Sequence, residues 1–350
     1  MRKSKKLSIA LIVALIVPLL FMTGCRDEDA GDGLEIVLVV KLEGVAWFDS
    51  TRDGITRFNN ARPTVNARQI GHHTADPAAQ VALVNDLIAM GVDAILVIPN
   101  DPASLVPAFT MARAMGITVG VHEASTQAQA DFVLEPFDNF SYGAHMLDIM
   151  ANWMGGQGLW QPFVGFLTSV THNEWVDAQE ARAREQWPGL TLAGARLEEE
   201  EQQELARQRS LELLMANPNL RGIMGSAMST VPGAAAAITE LGLIGQVAAF
   251  GTCLPSVAGA FLESGAAQSI HFWSPADAAY ATALVAYKLL SGETIGGTIV
   301  DGLDLGVPGY HNITIIPNEH GVPVIYGAAW VDVNRYNLHE WRNPDGSYRL

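Results

Sequence analysis

The period of apolar and polar positions changes repeatedly along this chain, and each change marks an element. EIVLVV (35–40) is a continuous apolar run of strand length, WFDSTRDGITRFNN (47–60) carries apolar residues at helical spacing, and TVNARQIG (64–71) is strand-like. DPAAQVALVNDLIAMG (76–91) opens on an Asp cap followed by Pro and closes on Gly, the punctuation of a helix. DAILVI (93–98) and ITVGV (117–121) are rich in branched residues and flank the helix-like SLVPAFTMARAMG (104–116). The alternation resumes after Asp138 with a helix near SYGAHMLDIMANWM (141–154), a strand at FVGFL (163–167) and a helix through WVDAQEARAREQW (175–187). Further strands end at RGIMGS (221–226) and QVAAFG (246–251). Strands and helices in this order predict right-handed βαβ units, so the expected fold class is α/β with two doubly wound parallel-sheet domains.

The amino terminus has a different pattern. MRKSKK is basic, LSIALIVALIVPLLFM is apolar, and MTGC closes the run with small residues and a cysteine, the order of a secretory signal. Pro18 and the short apolar length suit a membrane-spanning helix poorly. Removing the segment before Cys25 deletes Arg2, Lys3, Lys5 and Lys6 and takes the formal charge from -16 to -20. RDEDAGDG (26–33) is acidic and non-periodic, as a tether would be.

Composition narrows the function. A chain of 350 residues that is 49% hydrophobic has ample core for two domains. Its acidity argues against a nucleic-acid surface. In the run LEEEEQQELARQRSLELLMANP (197–218) the acids read as a solvated helix start near the positive end of the dipole.

In open parallel sheets, ligands sit beyond the carboxyl ends of the strands. Those ends carry Lys41 and Trp47-Phe48, then Pro99-Asn100-Asp101, then His122-Glu123 in the first half. The second half offers Thr171-His172-Asn173-Glu174-Trp175, Ser226 to Thr230, Thr252-Cys253 and Phe272-Trp273. Aromatics beside hydrogen-bonding groups suit a polyhydroxylated ligand, whose C–H faces lie on rings while its hydroxyls meet polar atoms. Other signals carry less. His72-His73 lacks a third metal ligand at useful spacing, so no metal is expected. GGQGLW (155–160) lacks the strand–Gly-rich loop–helix context of a nucleotide site, and no cofactor is expected. HNEW places its His and Glu on different sides of the backbone, and Cys253 has no positioned base, so no catalytic group is assigned.

From Ile36 to about Tyr336 the chain resembles the periplasmic sugar-binding proteins of ABC importers, and within them the rhamnose-binding and autoinducer-2-binding lipoproteins. The resemblance is carried by KLEGVAWFDSTRDG, the long segment 80–117, HNEWVDAQ, PGAAAA, GTCLPS, FWSPADAAY and YGAAWVDVNRYN, in that order and spacing. Met22-Thr23-Gly24-Cys25 likewise resembles a lipobox, which implies lipidation of Cys25 and leaves Cys253 without a disulfide partner. The family implies two similar domains joined by a three-strand hinge and closing over one small molecule. It also implies that Trp47 and Phe48 lie against a sugar ring, that Lys41 reaches the ligand, and that Glu123 stands where an Asp is usual. Asn100, His172, Asn173 and Trp175 are expected to join them. Ser226 and Met228 fall at Pro and Ala contacts of the autoinducer-2 binders, while Cys253 and Trp273 fall at the Asp and Gln positions of ribose binders. An aromatic in place of an amide suggests a less polar sugar, such as a deoxysugar.

The resulting expectation is an exported, lipid-anchored, monomeric solute-binding protein, periplasmic or on the outer face of the cytoplasmic membrane, that delivers a small sugar to an ABC permease. Autoinducer-2-type signal binding, or ligand presentation to a chemoreceptor or sensor kinase, is the alternative. A repressor with the same core would need a basic helix-turn-helix where this chain has its signal segment. The expected division is a signal peptide at 1–25, a tether at 26–33, a first domain at 34–134 and 275–305, and a second at 135–274 and 306–350. Hinges are expected near 122–137, 272–275 and 301–308, with the tail strands completing the second domain.

Overall fold

Residues 33–292 and 303–349 are described by a computed structural model. The expected signal peptide, Cys25 and nearly all of the tether lie outside these residues, as does the stretch 293–302 of the first expected domain. No helix among the described residues is long and apolar enough to cross a membrane.

The first half runs β1 (Leu34–Val39), α1 (Ala46–Ala61), β2 (Val65–Ile70), α2 (Pro77–Met90), β3 (Ala94–Val97), α3 (Pro102–Ala114), β4 (Thr118–His122) and β5 (Phe132–Glu135). Asp76 caps α2 by accepting the Ala78 and Ala79 N–H groups, and Gly91 ends it in the left-handed conformation. The second half runs α4 (Asn139–Met154), β6 (Gln157–Val164), α5 (Val170–Gln186), β7 (Gly189–Leu192), β8 (Leu197–Glu198), α6 (Gln203–Ala216) and β9 (Leu220–Gly225). It continues with α7 (Thr230–Glu240), β10 (Ala248–Thr252), α8 (Pro255–Ser264) and β11 (Ala267–Phe272). Then come α9 (Pro275–Ser291), β12 (Thr314–Pro317), β13 (Pro323–Tyr326) and β14 (Val331–Asn334).

Among the described residues two seven-member sheets result. The first is ordered β12-β13-β5-β4-β3-β1-β2, the second β14-β11-β10-β9-β6-β7 with β8 also on β6. Within each, the central strands are parallel, and one late strand is antiparallel: β12 on β13, and β14 on β11. Both sheets therefore reverse their winding beside the opening strand, between β1 and β3 in one and between β6 and β9 in the other. Crevices at such reversals are where α/β sheets take ligands.

Close helix pairs flank each sheet. Gly54 on α1 lets the backbone of Ala276, at the start of α9, approach where a Cβ would collide. Gly143 on α4 does the same for the backbone of Trp175 on α5. The largest side chains almost wholly removed from solvent among the described residues are Trp160, Trp175 and Trp273; truncation of such a residue costs about 3–5 kcal/mol.

The tail differs from expectation. β12 and β13 extend the first sheet through β5, and β14 alone joins the second. The chain therefore passes between lobes at 136–138, at 273–274 and at 327–330, the last well beyond 301–308. The reason is pairing: Val324, Ile325 and Tyr326 find the open edge of β5, and Gly327 and Ala329 then donate to Glu135 O and Pro136 O alongside the first crossing. Two further expectations shift in register. β6 begins at Gln157 instead of near Phe163, absorbing part of the Gly-rich segment, and α5 begins at Val170 instead of near Trp175, so His172 also stands on that helix, not in the loop before it.

Candidate functional site

The loops after β1 and β4 face those after β6, β8, β9, β10 and β11 across the cleft between the lobes. Together they line a cavity of about 130 Å³. Its walls include Lys41, Trp47, Phe48, Glu123, His172, Trp175, Ser226, Met228 and Trp273, all singled out from the sequence. Leu42, Val45, Glu201, Gln203, Ala227, Ser229, Pro232, Thr252 and Val257 complete the lining.

Aromatic rings form part of the lining. Trp47 and Phe48 lie in the first turn of α1 and are almost wholly buried. Trp273, at the second crossing, meets Trp47 edge-on at 4.7 Å between centroids and Trp175 at 5.8 Å. Trp273 thus joins rings of both lobes, a geometry favoured by the ring quadrupoles. Its Nε1 has no hydrogen-bond partner among the described residues, whereas Trp175 Nε1 donates to Asn139 Oδ1.

A charged cluster shares the lining. Lys41 Nζ is 3.1 Å from Glu123 Oε2 and 3.7 Å from Glu201 Oε1. Burial alone would lower the Lys41 pKa, but the two carboxylates outweigh it and hold the ammonium above the ordinary lysine range. Glu201 is pushed up by burial, against the pull of Lys41. Both acids are delivered by left-handed backbone: φ is 65° at Glu123, 55° at Glu200 and 57° at Glu201. Each such residue costs about 1–2 kcal/mol unless its surroundings hold it. Gly165 makes room, since a Cβ there would stand 2.6 Å from Glu201 Oε1 and 3.2 Å from His172 Cε1.

His172 accepts the Gly165 N–H at Nδ1, which places its own proton on Nε2. Burial, with Lys41 nearby, holds it well below the ordinary histidine range, so it is neutral. The cavity therefore combines acceptors at Glu123 Oε1 and Glu201 Oε1, neither with a hydrogen-bond partner among the described residues, with donors at Lys41, His172 and Trp273 and with flat apolar rings. Buried polar atoms left in this condition are costly, and a small molecule rich in hydroxyls would satisfy them.

Three expected residues lie outside the lining. Asn100 is buried beneath it, its side-chain amide donating to Lys41 O at 3.2 Å and its backbone N–H donating to Gln80 Oε1 at 2.9 Å. Asn173 turns to the loop after β6, donating to the carbonyls of Phe166, Leu167 and Ser169 and accepting from Arg196. Cys253 packs with its Sγ donating to Met228 O at 3.4 Å, and burial pushes its thiol well up, so it is an inert core group. The acids of 199–201 correct the solvated-helix reading: Glu199 is fully buried under the Ser229 hydroxyl, Glu201 lines the cavity, and α6 starts only at Gln203. Their position after β8 is a strand end like the others, and that signal would have found them.

Side chains also meet across the cleft. Ser125 Oγ, in the first lobe, donates to Glu174 Oε1 in the second, whose other oxygen accepts from Asn139 at 2.7 Å. Thr168 Oγ1 donates to Asn100 O at 3.3 Å, and Lys41 faces Glu201.

The sequence matches the periplasmic binding protein domain over residues 36–294, most of the chain. It belongs to that family. Solved structures of similar shape agree. An ABC transporter solute-binding protein from Clostridium phytofermentas with bound L-rhamnose has a TM-score of 0.80 at 21% identity, over 88% of this chain and 98% of its own. LsrB from Clostridium saccharobutylicum in complex with AI-2 has a TM-score of 0.80 at 17% identity, over 89% of this chain and 100% of its own. A solute-binding protein from Burkholderia graminis with D-arabinose has a TM-score of 0.74 at 19% identity, over 89% and 99%. Periplasmic binding proteins capture solutes without transforming them, and the two-lobe architecture seen here is theirs.

Proposed function

We propose that this chain is an exported lipoprotein, anchored through Cys25, that captures a small neutral sugar between its lobes and presents the closed form to an ABC permease. The observation that carries this reading is the cavity at the winding reversals of both sheets, which Trp47, Trp175 and Trp273 line together with Lys41, Glu123 and Glu201. The open form exposes the cleft, and ligand shifts the population toward closure because only the closed arrangement makes both sets of contacts. The sugars held by neighbouring structures, L-rhamnose and D-arabinose among them, are of the right class. The ring of Trp273 favours a deoxysugar or another less polar pentose or hexose.

Lys41 on the cavity wall supports a second reading, binding of autoinducer 2, with Ser226 and Met228 at contact positions that differ from that group's Pro and Ala. A thermal-shift screen of the mature chain against pentoses, hexoses, deoxysugars, polyols and autoinducer 2 separates these readings. A ligand at a hundredfold its dissociation constant adds about 2.7 kcal/mol of stability. A shift by a deoxysugar that exceeds the shift by its fully hydroxylated counterpart, and that is lost in Trp273→Phe or Trp273→Ala, supports the sugar reading. No shift by any sugar contradicts it.

A further inference from the structure

Away from the cleft, three side chains from three elements of the second lobe converge. His271 on β11 and Asp332 on β14 are directly opposed in the antiparallel register, and His145 reaches them from α4. Asp332 Oδ1 lies 2.7 Å from His271 Nδ1, and Asp332 Oδ2 lies 2.7 Å from His145 Nε2. The candidate ligand atoms all fall within 4.8 Å of one another. Tetrahedral zinc, with bonds of about 2.0–2.2 Å, asks for about 3.4 Å between ligand atoms, a spacing reached by small rotations of these side chains.

We propose that His145, His271 and Asp332 form a binding site for a borderline divalent cation such as zinc. Two imidazoles and a carboxylate are donors of the kind that such ions select. The outer partners are also in place. Ser269 Oγ is 3.1 Å from His271 Nε2 and accepts its N–H once Nδ1 turns its lone pair to the metal. The His145 ring stacks on Trp330 at 5.6 Å, which fixes its plane. Side-chain exposures of 34% for His145 and 35% for Asp332 leave a path for the ion and a position for water as the fourth ligand. A bound ion replaces the two protons that the carboxylate otherwise shares with the rings, so every polar group stays partnered. It also ties the edge strand β14, which receives the third crossing, to β11 and α4.

Calorimetric titration of the chelator-treated chain with zinc chloride alone, paired with thermal melting, tests the site. Expected are one equivalent of zinc bound, a rise in Tm with zinc, and at least a tenfold loss of zinc affinity in His145→Ala, whose sugar-induced thermal shift is unchanged. Asp332→Asn is expected to lose zinc binding as well; should it fail to fold, His145→Ala decides. Absence of stoichiometric zinc binding, or binding undiminished in His145→Ala, overturns the proposal, the second result placing the ion at another histidine.

Discussion

Lys41 Nζ lies 3.7 Å from Glu201 Oε1, and the two residues belong to opposite lobes. The same ammonium is 3.1 Å from Glu123 of its own lobe, so one cation serves an acid on each side of the cleft. On the proposed function, closure brings Glu201 to Lys41, and a ligand lodged between them would share their hydrogen bonds.

Lys41→Met removes the cation and leaves two buried carboxylates facing one another. A charged hydrogen bond is worth about 1.5–3 kcal/mol, so sugar affinity should fall about 10- to 100-fold by calorimetry. Tm should fall as well, because unpaired buried charge is destabilising. Unaltered affinity would remove Lys41 from the binding account.

Gly165→Ala separates binding from folding. The new Cβ displaces the flexible end of Glu201, which can swing away. Affinity should drop several-fold while Tm changes little. Gly251→Ala makes the contrast: there φ is 141° and the Cβ would strike the backbone of Gly225, so melting should show severe loss of stability. Equal Tm losses in the two variants would contradict this.

Ser125→Ala deletes the hydroxyl that reaches Glu174 across the cleft. Stopped-flow release of sugar should speed up several-fold, with the association rate nearly unchanged, since the contact exists only after closure. A slower association with unchanged release would place the effect elsewhere.

Glu135, the last residue of β5, is fully buried, and neither carboxyl oxygen has a hydrogen-bond partner among the described residues. Burial, then the charges of Glu174 and Glu123, hold it well above the ordinary carboxyl range. The native state thus keeps a proton that the unfolded chain releases above about pH 4.3. The stability this proton contributes is full below that value and is lost as pH rises through the native pKa. Glu135→Gln mimics the protonated form, so its Tm advantage over the parent should be larger at pH 8 than at pH 5. Parallel pH profiles would contradict this.

The fold class was legible because buried parallel strands and capped helices leave different periods, as at 93–98 and 76–91. The candidate cavity was legible where a strand end is followed by aromatic or charged residues, as at Lys41, Trp47 and Trp273. Glu201 escaped because a run of four acids has the composition of a solvated helix start; its burial depends on left-handed backbone at two successive residues and on room made by distant Gly165. The sheet choice of β12 and β13 escaped for a related reason. An apolar alternation shows that a strand has a buried face but not which open edge it will pair with, and here that edge is β5. Asn100 and Cys253, just past strand ends, and Asn173, in the first turn of α5, bond to backbone carbonyls instead of lining the cavity, because residue type alone does not show which way a side chain turns.

Small-angle scattering of the mature chain, with and without the sugar giving the largest thermal shift, tests the central claim most directly. Capture between closing lobes predicts a smaller radius of gyration at saturation, and a diminished change in Lys41→Met at the same sugar concentration. An unchanged radius with ligand demonstrably bound would contradict it.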